Sequence, residues 1–573
     1  MKKIIKNILL GLCFTQIIAC SPVDENLTDE SLVKTNPNYA LGILMNGYQG
    51  LIDKSTFNSE GSEATDDAVS NQTGNSLTRI ATGELTAQLN PLNRWEKYKF
   101  IFYINQFLSI VDDVVWKNNE VENELFKRKF RGEALALRAI MHQYILEAHG
   151  GYDQSGVLMG IPYYTSFIAQ NGNFNVPRLT YQETVDAIEK DFNDAYELLP
   201  FIYSDLATDI AEKDKKYDQN AYLAINGSIF KMRIQGQIIR GFQARLHLMA
   251  ASSAFLNSQD NYKLAVKYAN ELCAKNNYVL APDGVEFYNA DIDKDNPEIL
   301  WRGNVVTTSS LELNQFPFTL NGNGRLNPSQ NLVDAFYKKD GYPITSSVGL
   351  VYNNQNPYAT ASRDPRLSKY IVHNNGTLGT KTIFIDNISK DGVNVVINRS
   401  TRTGYYLKKH LRPDVVIPVS GTATPKEHFP VYMRYTELYL IMAEALNEIG
   451  GPDYKEPGVA KSSKEIIESL RKRALAITAD PYLQSITSQD DMRMLIRNER
   501  RLELCFEGFR FWDLRRYKST LTESVRGMAY NGFTYSQIDE VEPRLYSDVR
   551  YYYMPIPNSE VLKYNALSQN KGW

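Results

Sequence analysis

Cysteine is scarce in this chain: 573 residues contain four, Cys13, Cys20, Cys273 and Cys505. No Cys-x-x-Cys spacing occurs, which excludes a zinc ribbon, a thioredoxin-like motif and a disulfide framework. Cys273 and Cys505 each sit in an apolar helical pattern and read as inert core thiols. Excess charge is also lacking, since 63 Lys and Arg against 66 Asp and Glu leave −3. A generally cationic nucleic-acid binder is thereby excluded. There is no Gly-x-Ser-x-Gly elbow, and the six histidines include no His-Glu-x-x-His. Asn321-Gly322-Asn323-Gly324 lacks the Lys-Ser/Thr of a phosphate loop. His142 and His149 could share a helix face but read as a packed or surface pair, so neither metal nor cofactor is expected. Long apolar runs are limited to residues 8–18, too short for a membrane span of about 20 residues.

That run follows Lys2, Lys3 and Lys6, and the whole fits a signal peptide over 1–19. It ends Ile17-Ile18-Ala19-Cys20, which resembles a bacterial lipobox in which Cys20 becomes the acylated N-terminus. Asp24-Glu25 resembles the acidic tag that sends Bacteroidota lipoproteins to the outer surface. Residues 20–38 then form the acylated cysteine and tether, and lipid alone holds the body to the membrane.

Apolar residues recur at helical spacing over 39–52, 94–115, 126–148, 181–199, 238–256, 262–274, 430–449, 463–477 and 490–517. Thr180 with Glu183 makes a capping box before the fourth segment. Gly150-Gly151 marks a left-handed C-cap after the third. Consecutive segments form tetratricopeptide-like pairs, clearest in 238–256 with 262–274, where Ala244, Ala250 and Ala251 permit close approach. Long insertions break any strict repeat. From 282 to 429 the composition shifts to Asn, Gly, Thr and Pro with short alternating runs, so short strands and loops are expected. The fold class is mainly α: a scaffold of helix pairs with an irregular, loop-rich part, divided at 39–281 and 282–573.

Charge is densest from Arg497 to Arg516. A glycosidase would use Glu499, Glu503 or Glu507 as its acid and base. Glu503 has Arg500 and Glu507 has Arg510 three positions away, and Glu499 lies within two positions of Arg497, Arg500 and Arg501, which favours the ionised form and a structural ion-pair network.

The same segment, Arg497-Asn498-Glu499-Arg500-Arg501-Leu502-Glu503-Leu504 through Glu507-Gly508 to Asp513-Leu514, resembles the C-terminal signature of the SusD/RagB family. Arg434-Tyr435-Thr436-Glu437-Leu438, Gly132-Glu133-Ala134 through His149-Gly150-Gly151, Gly160-Ile161-Pro162 and Met554-Pro555-Ile556-Pro557 resemble further family blocks in the same order. The resemblance implies a non-catalytic, outer-membrane surface lipoprotein that captures oligo- or polysaccharide. It would deliver that ligand to a SusC-like TonB-dependent barrel. Peptide capture, or a lid with little affinity of its own, remains open. The resemblance also implies two ligand loops. One, 59–92, carries Asp66, Asp67, Asn71, Gln72, Asn75 and Arg79; the other, 305–327, carries Phe316, Phe318, Asn321, Asn323 and Arg325. Neither contains tryptophan, and Trp95 and Trp301 read as core.

Overall fold

The apolar stripes fold as helices that pack on their neighbours in sequence. The structure, a computed structural model, describes residues 36–51, 61–281 and 296–573. Its principal helices are α1 (Pro37–Gln49), α2 (Tyr98–Ile110), α3 (Glu120–His149), α4 (Tyr181–Leu198) and α5 (Gly236–Ala251), followed by α6 (Gln259–Lys275), α7 (Tyr435–Gly450), α8 (Ser463–Leu475), α9 (Gln489–Glu503) and α10 (Arg510–Arg516). The capping box forms as read: Thr180 Oγ1 accepts from Glu183 N–H at 3.2 Å and the Glu183 carboxylate accepts from Thr180 N–H at 2.9 Å. Helix α3 packs on α4, α5 on α6, and α6 on α7, which in turn carries α8 and α9. Ala244, Ala250 and Ala251 on α5, with Ala265 and Ala269 on α6, are wholly buried. Small residues let the two helices approach closely.

Four local readings need correction. The 94–115 segment begins with a 3-10 turn, Trp95–Lys97, and only then becomes α2. Residues 430–434 are not helical: Val431–Arg434 is a strand paired with Ile299–Arg302. The 490–517 segment breaks after α9, where Phe506 (φ 63°) and Gly508 (φ 83°) turn the chain through the left-handed region. Gly150 caps α3 in an extended conformation (φ −63°), not a left-handed one. Its glycine is required by space, since a Cβ would lie 2.8 Å from Leu146 O and from the Tyr181 ring.

Strands are short, as the composition implies, and pair as seven two-stranded antiparallel sheets among the described residues. One large core runs from Ala40 to Leu567. A smaller one, with Phe316, Val372, Ile383, Tyr406 and Leu411, supports the loop-rich part. Cys273 and Cys505 are buried free thiols. His142 and His149 are buried too, each ring bridging backbone groups: His142 meets Arg138 O and Tyr164 N–H, His149 meets Pro555 O and Arg94 N–H. Burial pushes His149 down to about 3, so it is neutral near pH 7. Cys20 lies outside the described residues.

Candidate ligand-binding site

The two loops singled out in the sequence meet. Ala68–Ser70 from the first pairs antiparallel with Leu326–Pro328 at the end of the second. Asn71 continues the join: its N–H donates to Arg325 O at 3.1 Å, and its Nδ2 donates to Asn323 O at 2.9 Å and Ser400 O at 3.2 Å. Arg325 Nη1 donates to Asn398 O at 2.9 Å. Asn398 Oδ1 accepts from Thr73 N–H at 3.1 Å and Thr73 Oγ1 at 2.8 Å. Three segments far apart in sequence thus enclose a concavity of about 260 Å³, lined by Ser70–Thr73, Asn394, Ile397, Asn398, Ser400 and Arg402.

The first loop reaches this position because arginines from the C-terminal part hold it. Arg510 forms a two-bond pair with Asp66 at 2.9 and 2.8 Å, and Arg501 lies 3.0 Å from Asp66 and 2.7 Å from Asp67. Arg544, fully buried, donates to Thr65 O at 2.7 Å and Ala68 O at 2.9 Å. Arg402 donates to Ser70 O at 3.0 Å. Burial would raise Asp66, but the Arg501 and Arg510 guanidiniums hold it below the usual carboxylate range. Burial, and then the Asp66 charge beside it, push Asp67 up despite Arg501.

Of the residues expected from the sequence, Asn71 and Gln72 line the concavity, while Asn323 and Arg325 brace its wall. Asp66 and Asp67 anchor the loop from inside. Asn75 caps the short helix Ser76–Ala81, accepting from Leu77 and Thr78 N–H. Arg79 pairs with Glu84 at 2.9 Å on the surface. Phe316 belongs to the smaller core. The Phe318 ring faces the Arg399 guanidinium at 4.2 Å. Asn321, at φ 62°, shapes a turn and donates to Ile417 O at 2.7 Å. The sequence reading missed the third wall, 394–402. Its available signal was the pair Asn394 and Asn398, both left-handed (φ 56° and 61°), a conformation that asparagine tolerates better than most residues.

The charged C-terminal segment forms no acid–base pair. Glu499 joins Arg471 at 2.6 Å and Arg366 at 2.9 Å. Glu503 joins Arg366 at 3.0 Å and Arg473 at 3.3 Å, and Glu507 joins Lys409 at 2.6 Å and Arg434 at 2.8 Å. Burial raises Glu503, yet Arg473, Arg366, Arg434 and Lys409 bring it down to about 2. Burial likewise opposes, and Arg434 and Lys409 outweigh it, in holding Glu507 at about 2. Neither carboxyl can hold the proton that a general acid must donate near pH 7.

Comparison with known proteins matches residues 294–573 to the SusD family model, and residues 38–224 to a model described as starch-binding associating with outer membrane. The chain belongs to the SusD family. Two SusD-like proteins of Formosa agariphila are similar in sequence. One is 22% identical over 462 residues, 78% of this chain and 75% of that protein; the other is 31% identical over 170 residues, 29% of each. The fold is similar to a SusD-like protein of Bacteroides fragilis (TM-score 0.74, 22% identity, 96% of this chain and 100% of that one). It is also similar to a SusD-like carbohydrate binding protein of the same species (TM-score 0.70, 20% identity, 94% of this chain and 99% of that one). SusD family proteins bind without catalysis, and this chain is not an enzyme.

Proposed function

We propose that the protein is an outer-membrane lipoprotein, acylated at Cys20 and facing the cell exterior. It captures oligo- or polysaccharide at the concavity and passes it to a SusC-like TonB-dependent barrel. One observation carries this reading: two segments, braced by a third, present Gln72, Thr73, Asn394 and Asn398 at an exposed polar hollow. Neutral amide and hydroxyl groups match sugar hydroxyls in both donor and acceptor roles. The relatives named above, one of them a carbohydrate binding protein, support the choice. The residues lining the hollow include no aromatic ring, which favours a second reading, peptide capture through backbone bonds to the same amides. Titration of the purified protein against panels of oligosaccharides and short peptides separates the two. Saturable glycan binding weakened by Gln72→Ala and Asn394→Ala is the expected result; peptide binding alone establishes the second reading. Pull-down from detergent-solubilised outer membranes should recover a TonB-dependent barrel in near-equal amount, and recovery of the protein alone refutes the partnership.

A further inference from the structure

A second cavity, of about 180 Å³, lies between α3, α5, the strand leading into α7, and the chain from Arg500 to Arg516. Much of its wall is ring and hydrocarbon: Phe242, Phe429, Tyr432, Phe509, Met249 and Ile441. Its charges are already matched. Arg94 pairs with Glu147, Arg245 with Glu437, Arg434 with Glu507, and Arg500 with Asp513. A fifth guanidinium, Arg516, pairs with Asp513 and Glu444. An ionic ligand would find no counter-charge to spare, and burying its own charge would be costly.

Hydrogen-bonding capacity is left over at a few atoms. Trp512 Nε1, Arg500 Nη1 and Gln143 Oε1 have no hydrogen-bond partner among the described residues. All three side chains line the cavity and are at most 6% exposed. The Arg94 guanidinium lies 3.9 Å from the centre of the Trp512 ring, so that indole offers its N–H edge rather than an open face. Two donors and one acceptor are too few for a sugar, whose ring of hydroxyls would be buried unpaired. They suit a flat molecule with one carbonyl and one N–H. Volume sets the size, since an apolar cavity of about 150 Å³ holds benzene.

We propose that this cavity is a second binding site, separate from the loop concavity, for an uncharged single-ring molecule bearing a carboxamide-like acceptor and donor. Carbonyl oxygen would meet Trp512 Nε1 and Arg500 Nη1, and the amide N–H would meet Gln143 Oε1, with the ring between the phenylalanines.

The test is calorimetric titration of the full chain with benzamide, with toluene, benzoate and glucose as comparators. Benzamide should bind more tightly than toluene, and benzoate and glucose more weakly than either. Gln143→Leu should weaken benzamide about tenfold, the worth of roughly one hydrogen bond, and leave toluene unchanged. Trp512→Phe should act in the same direction and serves if Gln143→Leu does not fold. Four outcomes overturn the proposal: no binding of benzamide or toluene, which leaves a merely hydrated gap; tighter binding of benzoate; binding of glucose in their place; or benzamide affinity unchanged in both variants.

Discussion

Glu503 is a buried anion and Glu507 a largely buried one, and their energetics follow from what surrounds them. Each is held at about 2, from an ordinary 4.5, by the cations named above. A carboxyl depressed in the fold stabilises it fully above the unfolded value, and that contribution disappears as pH falls through the folded one. The window is therefore about 4.5 down to about 2, and linkage assigns on the order of 3 kcal/mol to each group. Glu503→Gln and Glu507→Gln should each lower the melting temperature at pH 7, because Arg366, Arg473, Arg434 and Lys409 lose counter-charge in the interior. The double variant should also lose less stability between pH 5 and 2 than the parent. Urea titrations across that range check this, and equal slopes would refute the assignment. His149, neutral in the fold and held at about 3, adds a second acid dependence beginning near the ordinary value of 6.5. The parent should therefore start to weaken before the carboxyls protonate.

Among elements, the loop 61–73 depends most on distant parts of the chain. Asp66→Asn keeps the shape but leaves Arg501 and Arg510 without one of their acceptors. Charge-assisted bonds of this kind contribute about 1.5–3 kcal/mol, so amide exchange across 65–73 should rise about ten- to a hundredfold. Exchange in α5 and α6 should stay as in the parent; a rise spread evenly over the molecule would mean that the pair stabilises the fold globally. What was legible in the sequence follows the range of the interactions. Helices such as α4 and α5 announce themselves through periodicity, caps and small residues, all local. The break between α9 and α10 is hidden because an apolar pattern continues through Phe506, a residue type that gives no sign of the positive φ it adopts. The loops 59–92 and 305–327 stand out through family resemblance, but not the roles of the residues within them. Asp66 and Asp67 look like free acceptors until their partners, more than four hundred residues away, are in view. The third wall, 394–402, has no periodicity and acquires its meaning only from Thr73 and Arg325 beside it.

For the molecule as a whole, attachment and binding are separable. Among the described residues no helix is long and apolar enough to cross a membrane; the anchor proposed above is the lipid at Cys20. Cys20→Ser should shift the protein from the membrane fraction to the soluble one after a high-salt wash, with ligand binding intact; retention in the membrane would refute the lipid anchor. The arginines that seat the loop 61–73 also impose an order in time. Arg501, Arg510 and Arg544 follow their loop partners by 434, 444 and 479 residues. Contacts of such separation are slow to form, because the intervening chain must be gathered before they repay its entropy. A chain emerging from its N-terminus can close α3 on α4 and α5 on α6 as soon as each pair is out. The loop concavity must wait for Arg544. On the proposed function, the growing chain would therefore be unable to hold a ligand until Arg544 has reached Thr65 and Ala68. A chain cut short before Arg544 keeps every residue of the first loop and still lacks the clamp that seats it.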